Sequence, residues 1–230
     1  MGSDLPRAGT LAVVFVVIHV HVEPLGKDNV AAWAELFERA SSPCYCRWWH
    51  FAGVKNEWLA QCATDPAANR ADAEQAVLSR AEGAQGLVAM RGLRAVGWMK
   101  LSPRASVPKL RALPVYRALD LGPDEGVWSV GCFLVDPEER RQGVAAALLD
   151  AAPPFVRARG GLAIEAYPRH THETEHGRLH DEEAWMGPEA LFTARGYAPL
   201  ASAEAAATAM YPVYRLELRG PGTTLPVPSR

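Results

Sequence analysis

The chain has too few cysteines for a disulfide framework. Cys44, Cys46, Cys62 and Cys132 are spread over 230 residues, without the density of a stapled secreted domain or the paired spacing of a zinc ribbon. A reducing, cytoplasmic compartment is the simplest reading. Excess positive charge is also absent: 24 Lys and Arg stand against 26 Asp and Glu, a net −2. A polyphosphate backbone therefore has no global field to hold it, and nucleic acid is not an expected partner. The longest apolar run, Leu11 to Val22, is interrupted by His19 and His21 and falls short of the ~20 residues of a membrane span. No membrane partner is expected. Only Arg7 precedes that run and His-Val-His-Val-Glu closes it, which is not the pattern of a secretory signal. Its Val and Ile crowding favours extended backbone, so it reads as an N-terminal strand. No internal repeat is visible. The remaining balance, 49% hydrophobic and 22% charged, is that of a soluble globular chain.

Asn29 to Ala40 places Val30, Trp33, Leu36 and Phe37 at helical spacing and predicts an amphipathic first helix. The aromatic-rich stretch Cys44 to Phe51 follows, then helical stretches at Glu57 to Ala63 and about Asn69 to Ala81, with Asp65-Pro66 as the break. Gln85 to Met90 and Ala95 to Leu101 alternate as strands around Arg91-Gly92-Leu93-Arg94, a hairpin turn. Pro103, Pro108, Pro114 and Pro123 make 102–124 a connecting loop with a helical turn or two at most. Val127 to Val135 reads as a buried strand, Gly143 to Arg159 as an Ala/Leu-rich helix weakened at Pro153-Pro154, and Leu162 to Tyr167 as another strand. A short helix at Pro188 to Arg195, a strand at Tyr211 to Leu218 and a loose Gly/Pro-rich tail complete the chain. One mixed sheet flanked by helices is the economical architecture.

The informative stretch runs from Trp128 to Leu149. A strand empties through Asp136-Pro137 into a helix that opens with Arg140-Arg141-Gln142-Gly143-Val144-Ala145. Free amide hydrogens at such a helix start, backed by the positive end of the dipole, suit a pyrophosphate. Gly143 and Ala145 leave the backbone open to phosphate oxygens, and Arg140 and Arg141 add charge. The three glycines of a nicotinamide-cofactor loop, with an acidic residue about 20 positions on, are missing as a set.

The run Val135 to Ala145 resembles the acyl-CoA motif of the GCN5-related N-acetyltransferases, Arg/Gln-x-x-Gly-x-Gly/Ala after a Val-x-Pro strand end, with Arg140, Gly143 and Ala145 in its three fixed positions. Leu162 to Tyr167 is similar to the strand that splays from its neighbour in this family. Ala190 to Tyr197 is similar to its later helix, which ends in a Gly-aromatic pair. The resemblance covers 126–218. It implies a mixed α/β fold with a central, mostly antiparallel sheet, a splayed parallel strand pair and flanking helices, as one domain over 1–218 with its acyl-CoA motif in 126–159 and a flexible tail at 219–230. It further implies acetyl-CoA as cosubstrate and a small-molecule or peptide amine as acceptor, and leaves a homodimer open. Cys132, Phe133, Leu134 and Val135 would offer backbone hydrogen bonds to pantetheine, Arg140, Arg141, Gln142, Gly143, Val144 and Ala145 would hold the pyrophosphate, and the thioester would sit near the splay.

Acetyl transfer to an amine needs a neutral nitrogen close to an electrophilic carbonyl and a way to stabilise the departing thiolate. Glu165 on the second strand and Glu125 before the first are the candidate bases by position. Many family members carry a tyrosine on the later helix as general acid, and this chain has Phe192 there, which the resemblance places among the cofactor-binding residues. Tyr197 and Tyr167 are the substitutes at hand. Cys44-Tyr45-Cys46 with Trp48, Trp49 and His50 resembles a Cys-x-Cys aromatic segment near the acceptor side of some relatives. Core packing accounts for it equally, and no second Cys pair supports a metal. His172, His176 and His180 would share one face if their segment were helical, while a solvated loop is the plainer reading, and no metal is expected. Acetyl transfer from acetyl-CoA is the leading reading, a non-catalytic acyl-CoA-binding module the second, and a metal-dependent protein built on the histidines the third.

Overall fold

The computed structural model describes residues 20–112, 116, 121–168, 185–200 and 212–218. Among these residues seven strands form one sheet in the order β1-β2-β3-β4-β5-β7-β6. They are β1 (His21–Pro24), β2 (Gly86–Arg91), β3 (Arg94–Pro103), β4 (Val127–Val135), β5 (Ala163–Ala166), β6 (Ala198–Pro199) and β7 (Tyr214–Glu217). Only β4 and β5 run parallel; every other pair is antiparallel. The mixed, mostly antiparallel sheet with one parallel pair agrees with expectation.

Both faces of the sheet are covered, which is why its strands read as near-continuous apolar runs. On one face, α5 (Val144–Arg157) lays Val144, Leu148, Leu149, Ala152 and Val156 against Leu87, Ala89, Val96, Val130 and Ile164. On the other, α1 (Val30–Arg39) and α3 (Pro66–Leu78) pack Trp33, Leu36, Phe37, Ala73 and Val77 against Val88, Met90, Ala95 and Trp98. The alternation of β2, with Leu87 and Ala89 to one side and Val88 and Met90 to the other, is the two-residue strand period realised in packing. α2 (Lys55–Thr64) precedes α3, while α4 (Pro108–Ala112) follows β3 and α6 (Glu189–Thr193) precedes β6.

Several boundaries differ from expectation for identifiable reasons. α3 starts at Pro66 rather than near Asn69, because Asp65 caps it by accepting from the Ala68 amide at 3.0 Å and a proline at the first helical position forfeits no bond. α5 runs through Pro153 and Pro154 to Arg157 instead of weakening there, its apolar face being fixed in the core on both sides of the pair. The first strand is seen as His21–Pro24, paired with β2; residues before 20 lie outside the described ones, as do His170 to His180, Tyr211 and the tail.

The feature that positions a site is the parting of β4 and β5. Their ladder ends at Val130 paired with Ala166, yet β4 continues to Val135. At that point the register with β3 also slips: Lys100 faces Cys132 and Leu101 faces Val130, so Gly131 has no partner across the ladder. This bulge bends the strand where its neighbour leaves it. A third apolar cluster, with Trp49, Leu110, Tyr116, Tyr167 and Met186, fills the space around Tyr167, next after β5.

Candidate active site

Past Val135 the chain turns sharply. Asp136 anchors the turn, its buried carboxylate accepting from Arg39 Nε at 2.9 Å, Arg94 at 2.8 Å and the Glu138 amide at 3.2 Å. Burial alone would raise its pKa; the two guanidiniums and the amide outweigh it and hold the carboxyl below its ordinary value. Arg141 then adopts φ +64° and Gly143 φ +82°, two left-handed residues flanking Gln142 that lead into α5. Gly143 is the N-cap and no side chain caps the helix, so the amides of its first turn face outward with the dipole behind them. A Cβ on Gly143 would meet nothing within 4 Å. Glycine suits the backbone conformation there, where an L side chain is strained by roughly 1–2 kcal/mol. Gln142 is braced by donating to the Glu138 carbonyl at 2.9 Å, and Arg140, Arg141 and Gln142 are all exposed. The residues named for pyrophosphate thus lead into and open a 14-residue helix with no side-chain cap, and that chemistry fits a diphosphate.

The free edge of β4 beyond the splay is in use. The Phe133 amide, which points away from β3, donates to the Trp185 carbonyl at 2.7 Å. Gly187 lies against the rings of Phe133 and Phe192, and Trp185 meets the Trp49 ring at 5.7 Å. Residues 185–187 therefore strap the edge on which Cys132, Phe133, Leu134 and Val135 were expected to receive pantetheine. Cys132 and Phe133 are buried, and Leu134 and Val135 are half-buried.

The candidate catalytic groups do not converge on the splay. Glu165 is 0% exposed. Its Oε1 accepts from Arg104 at 2.9 Å and from Arg215, and its Oε2 from the Tyr167 hydroxyl at 2.9 Å. Arg104 in turn donates to Asp124 and to the carbonyls of Leu121, Gly122 and Pro123. That carboxylate is the hub of a sealed clamp at the base of the splay, with no lone pair directed at a substrate amine. Glu125 is exposed in the turn before β4, and the rise from Val127 to Gly131 alone is on the order of 13 Å. Tyr197 is packed in the α5-side core against Phe192 at 5.4 Å, its hydroxyl unpartnered; burial pushes its pKa upward. Phe192 is fully buried and meets Phe133 at 6.0 Å. Tyr167, held by Ser129 and Glu165, is likewise pushed up by burial.

The Acetyltransferase (GNAT) family model matches residues 33–180 of the chain. This chain belongs to the GNAT acetyltransferase family. Among solved structures it is similar to a protein described as an acetyltransferase of the GNAT family from Desulfovibrio desulfuricans, with 14% identity over 87% of this chain and 100% of that one, at a TM-score of 0.50. It is also similar to the PaiA N-acetyltransferase of Thermoplasma acidophilum in complex with coenzyme A, with 8% identity, 86% and 99% coverage and a TM-score of 0.48. A third is yncA of Salmonella typhimurium with acetyl-CoA, with 14% identity, 89% and 96% coverage and a TM-score of 0.48. No curated protein matches the chain.

Sequence reasoning missed the residues that this GNAT chain gathers on the opposite side of the bulge. Trp49 donates its indole N–H to the Gly131 carbonyl at 3.0 Å across 82 positions. A Cβ on Gly131 would lie 3.2 Å from the Lys100 δ-carbon and 3.2 Å from Trp49 Nε1, so Gly131 is wedged between the two. Lys100 itself is 3% exposed. Its ammonium donates to the Gly83 carbonyl, and no carboxylate forms an ion pair with it among the described residues. Burial pushes its pKa down to about 8. His50 is lowered to about 3, by burial first and then by Lys100 and Arg47. Tyr45 and Cys46 are both left-handed, at φ 42° and 53°, and the Trp98 indole donates to Cys46 Sγ at 3.1 Å. Burial pushes the Cys46 thiol well up, which makes it a poor nucleophile and metal ligand. Among the described residues no group of three His, Cys, Asp or Glu is arranged for a metal. The signal available in sequence was a lysine inside an apolar strand, Trp98-Met99-Lys100-Leu101.

Proposed function

We propose that this protein transfers an acetyl group from acetyl-CoA to the amine of a small-molecule or peptide acceptor, by direct attack within a ternary complex. The observation that carries the reading is the uncapped, glycine-led start of α5 beside the parting of β4 and β5. Membership of the GNAT family supports the same chemistry, and the neighbours described with coenzyme A or acetyl-CoA agree with it. Arg140, Arg141, Gln142, Gly143, Val144 and Ala145 hold the diphosphate through backbone amides and two guanidiniums. Each charge-assisted bond is worth roughly 1.5–3 kcal/mol, so two or three suffice for micromolar binding. Val135 and, once the Trp185 carbonyl yields, Phe133 supply the edge for pantetheine; Cys132 and Leu134, expected to share in it, instead turn their backbone groups toward β3, because alternate residues of a strand face opposite neighbours. Holding the two substrates together replaces a bimolecular encounter, and a thiol of ordinary pKa near 8.5 departs as the anion without a dedicated acid.

A non-catalytic acyl-CoA-binding module is the second reading. It is favoured by Phe192 in the place of the family's tyrosine and by the burial of Tyr197. Following free coenzyme A release over a panel of amines separates the two. Acceptor-dependent release supports the transferase, whereas tight acetyl-CoA binding without release on any amine supports the module.

A further inference from the structure

A primary ammonium of pKa about 10 is almost wholly protonated at neutral pH and cannot attack a thioester. Something beside the splay must take its proton. Among the described residues Glu165 is spent on Arg104, Arg215 and Tyr167, Glu125 lies at the other end of β4, and His50, lowered to about 3, is too weak a base. We propose that Lys100 takes that proton, acting as the base of the acetyl transfer. The inference rests on the transferase reading above and adds a residue to it.

Lys100 faces Cys132 across the β3–β4 ladder, beside the unpaired Gly131 and at the position where β4 leaves β5. Its δ-carbon, two bonds short of the amine, is the atom that approaches Gly131. The groups around it are the Cys46 thiol and Arg47 guanidinium from the aromatic loop, the His50 imidazole, the Cys132 thiol from β4 and the Gly83 carbonyl. α1 and α3 bring only Trp33, Ala73 and Val77 to the recess where Lys100 ends. Burial is the main cause, with the Arg47 guanidinium adding to it and the two cysteines only partly opposing, and it brings the Lys100 pKa down to about 8. A buried lysine without a carboxylate is costly to a fold, and a proton-accepting role explains why one sits at this point of the sheet.

The free amine of Lys100 takes a proton from R–NH3+ to give R–NH2. The nitrogen lone pair then bonds the carbonyl carbon, the C–S bond breaks with its electron pair on sulfur, and the remaining ammonium proton of the adduct goes to the thiolate. Lys100 returns its proton to solvent. Acetyl-CoA and R–NH3+ thus become R–NH–CO–CH3, free coenzyme A and one proton.

The test uses the full chain, acetyl-CoA and an amine that the panel shows to be acetylated. Lys100→Met and Lys100→Arg are compared with wild type for acetyl-CoA binding by calorimetry and for kcat/KM against pH. Both variants are expected to bind acetyl-CoA within about threefold of wild type, to lose about 100-fold in kcat, and to lose the rising limb near pH 8. Lys100→Arg keeps a donor for the Gly83 carbonyl but cannot deprotonate, so a structural role predicts rescue by it. Rescue by Lys100→Arg, or an unchanged rising limb in Lys100→Met, overturns the assignment. An acetyl adduct on Lys100 after incubation with acetyl-CoA alone also overturns it, making the lysine an acceptor. Should neither variant fold, the wild-type profile decides. A limb that stays near pH 8 for acceptors of different amine pKa supports Lys100, and one that tracks the acceptor overturns it. If the wild type turns over no amine while binding acetyl-CoA, the transferase reading has failed and Lys100 falls with it. Failure of Lys100 alone leaves wild-type turnover intact.

Discussion

The two sides of β4 are built in opposite ways. The proposed diphosphate cradle is local: Asp136 to Ala145 are consecutive, its shape comes from two left-handed residues and a helix start, and its arginines are exposed. The side around Gly131 is assembled from afar, with Trp49, Lys100 and Trp185 brought from three separate segments, and its polar groups are buried. A short motif specifies a binding surface for a group common to many substrates. The chemistry that selects and activates one acceptor depends on contacts that no short motif can encode.

Breaking that contrast should produce effects of graded size. The largest is expected from Arg104→Ala, which removes the fully buried one of the two guanidiniums that hold Glu165 at the base of the splay. Removing one member of a buried pair costs about 3–5 kcal/mol, so thermal unfolding should fall by about 10 °C, with both sides failing together. Gly143→Leu should separate them. It strains the backbone by roughly 1–2 kcal/mol, yet it should weaken acetyl-CoA at least tenfold by calorimetry while near-ultraviolet dichroism from the tryptophans around Gly131 stays unchanged. Equal loss of both signals would show that the cradle is not independent.

A smaller effect of opposite sign is expected at the strap. Trp185→Ala removes the ring contact with Trp49 and loosens the carbonyl that occupies the Phe133 amide. One such hydrogen bond is worth about 0.5–1.5 kcal/mol net, so coenzyme A should bind about three- to tenfold more tightly. Weaker binding would make the strap part of the pocket rather than a competitor for the edge. The smallest effect concerns the anchor of the turn. Asp136 is depressed in the folded state, so its contribution is present above the unfolded value near 3.9 and is lost as pH falls through the lower folded value. Urea unfolding at pH 3 and pH 6 should show a shallower loss for Asp136→Asn than for wild type; parallel losses would remove Asp136 from the account.

Much of the architecture was legible because patterning and packing agree. Val30, Trp33, Leu36 and Phe37 recur at helical spacing and all are buried in α1, and the Gly92-Leu93 turn closes β2 on β3 with Arg91 opposite Arg94. The errors lie where local rules compete. Pro66 and Pro153-Pro154 read as breaks, but a capped first turn absorbs one and a fixed apolar face absorbs the others. The surroundings of the candidate carboxylates were not legible, because Glu165 and Glu125 were picked by their place along strands. Position along a strand does not reveal that two arginines from elsewhere, Arg104 and Arg215, converge on Glu165.

By itself the sequence determined the helix start with its glycine and arginines, and it is on these that the proposed diphosphate site rests, since amide geometry and dipole follow from a few adjacent residues. Only the tertiary structure decided which side chains are left to do chemistry. Burial and neighbouring charge, set by segments far apart in the chain, occupy Glu165, neutralise His50 and loosen the proton of Lys100.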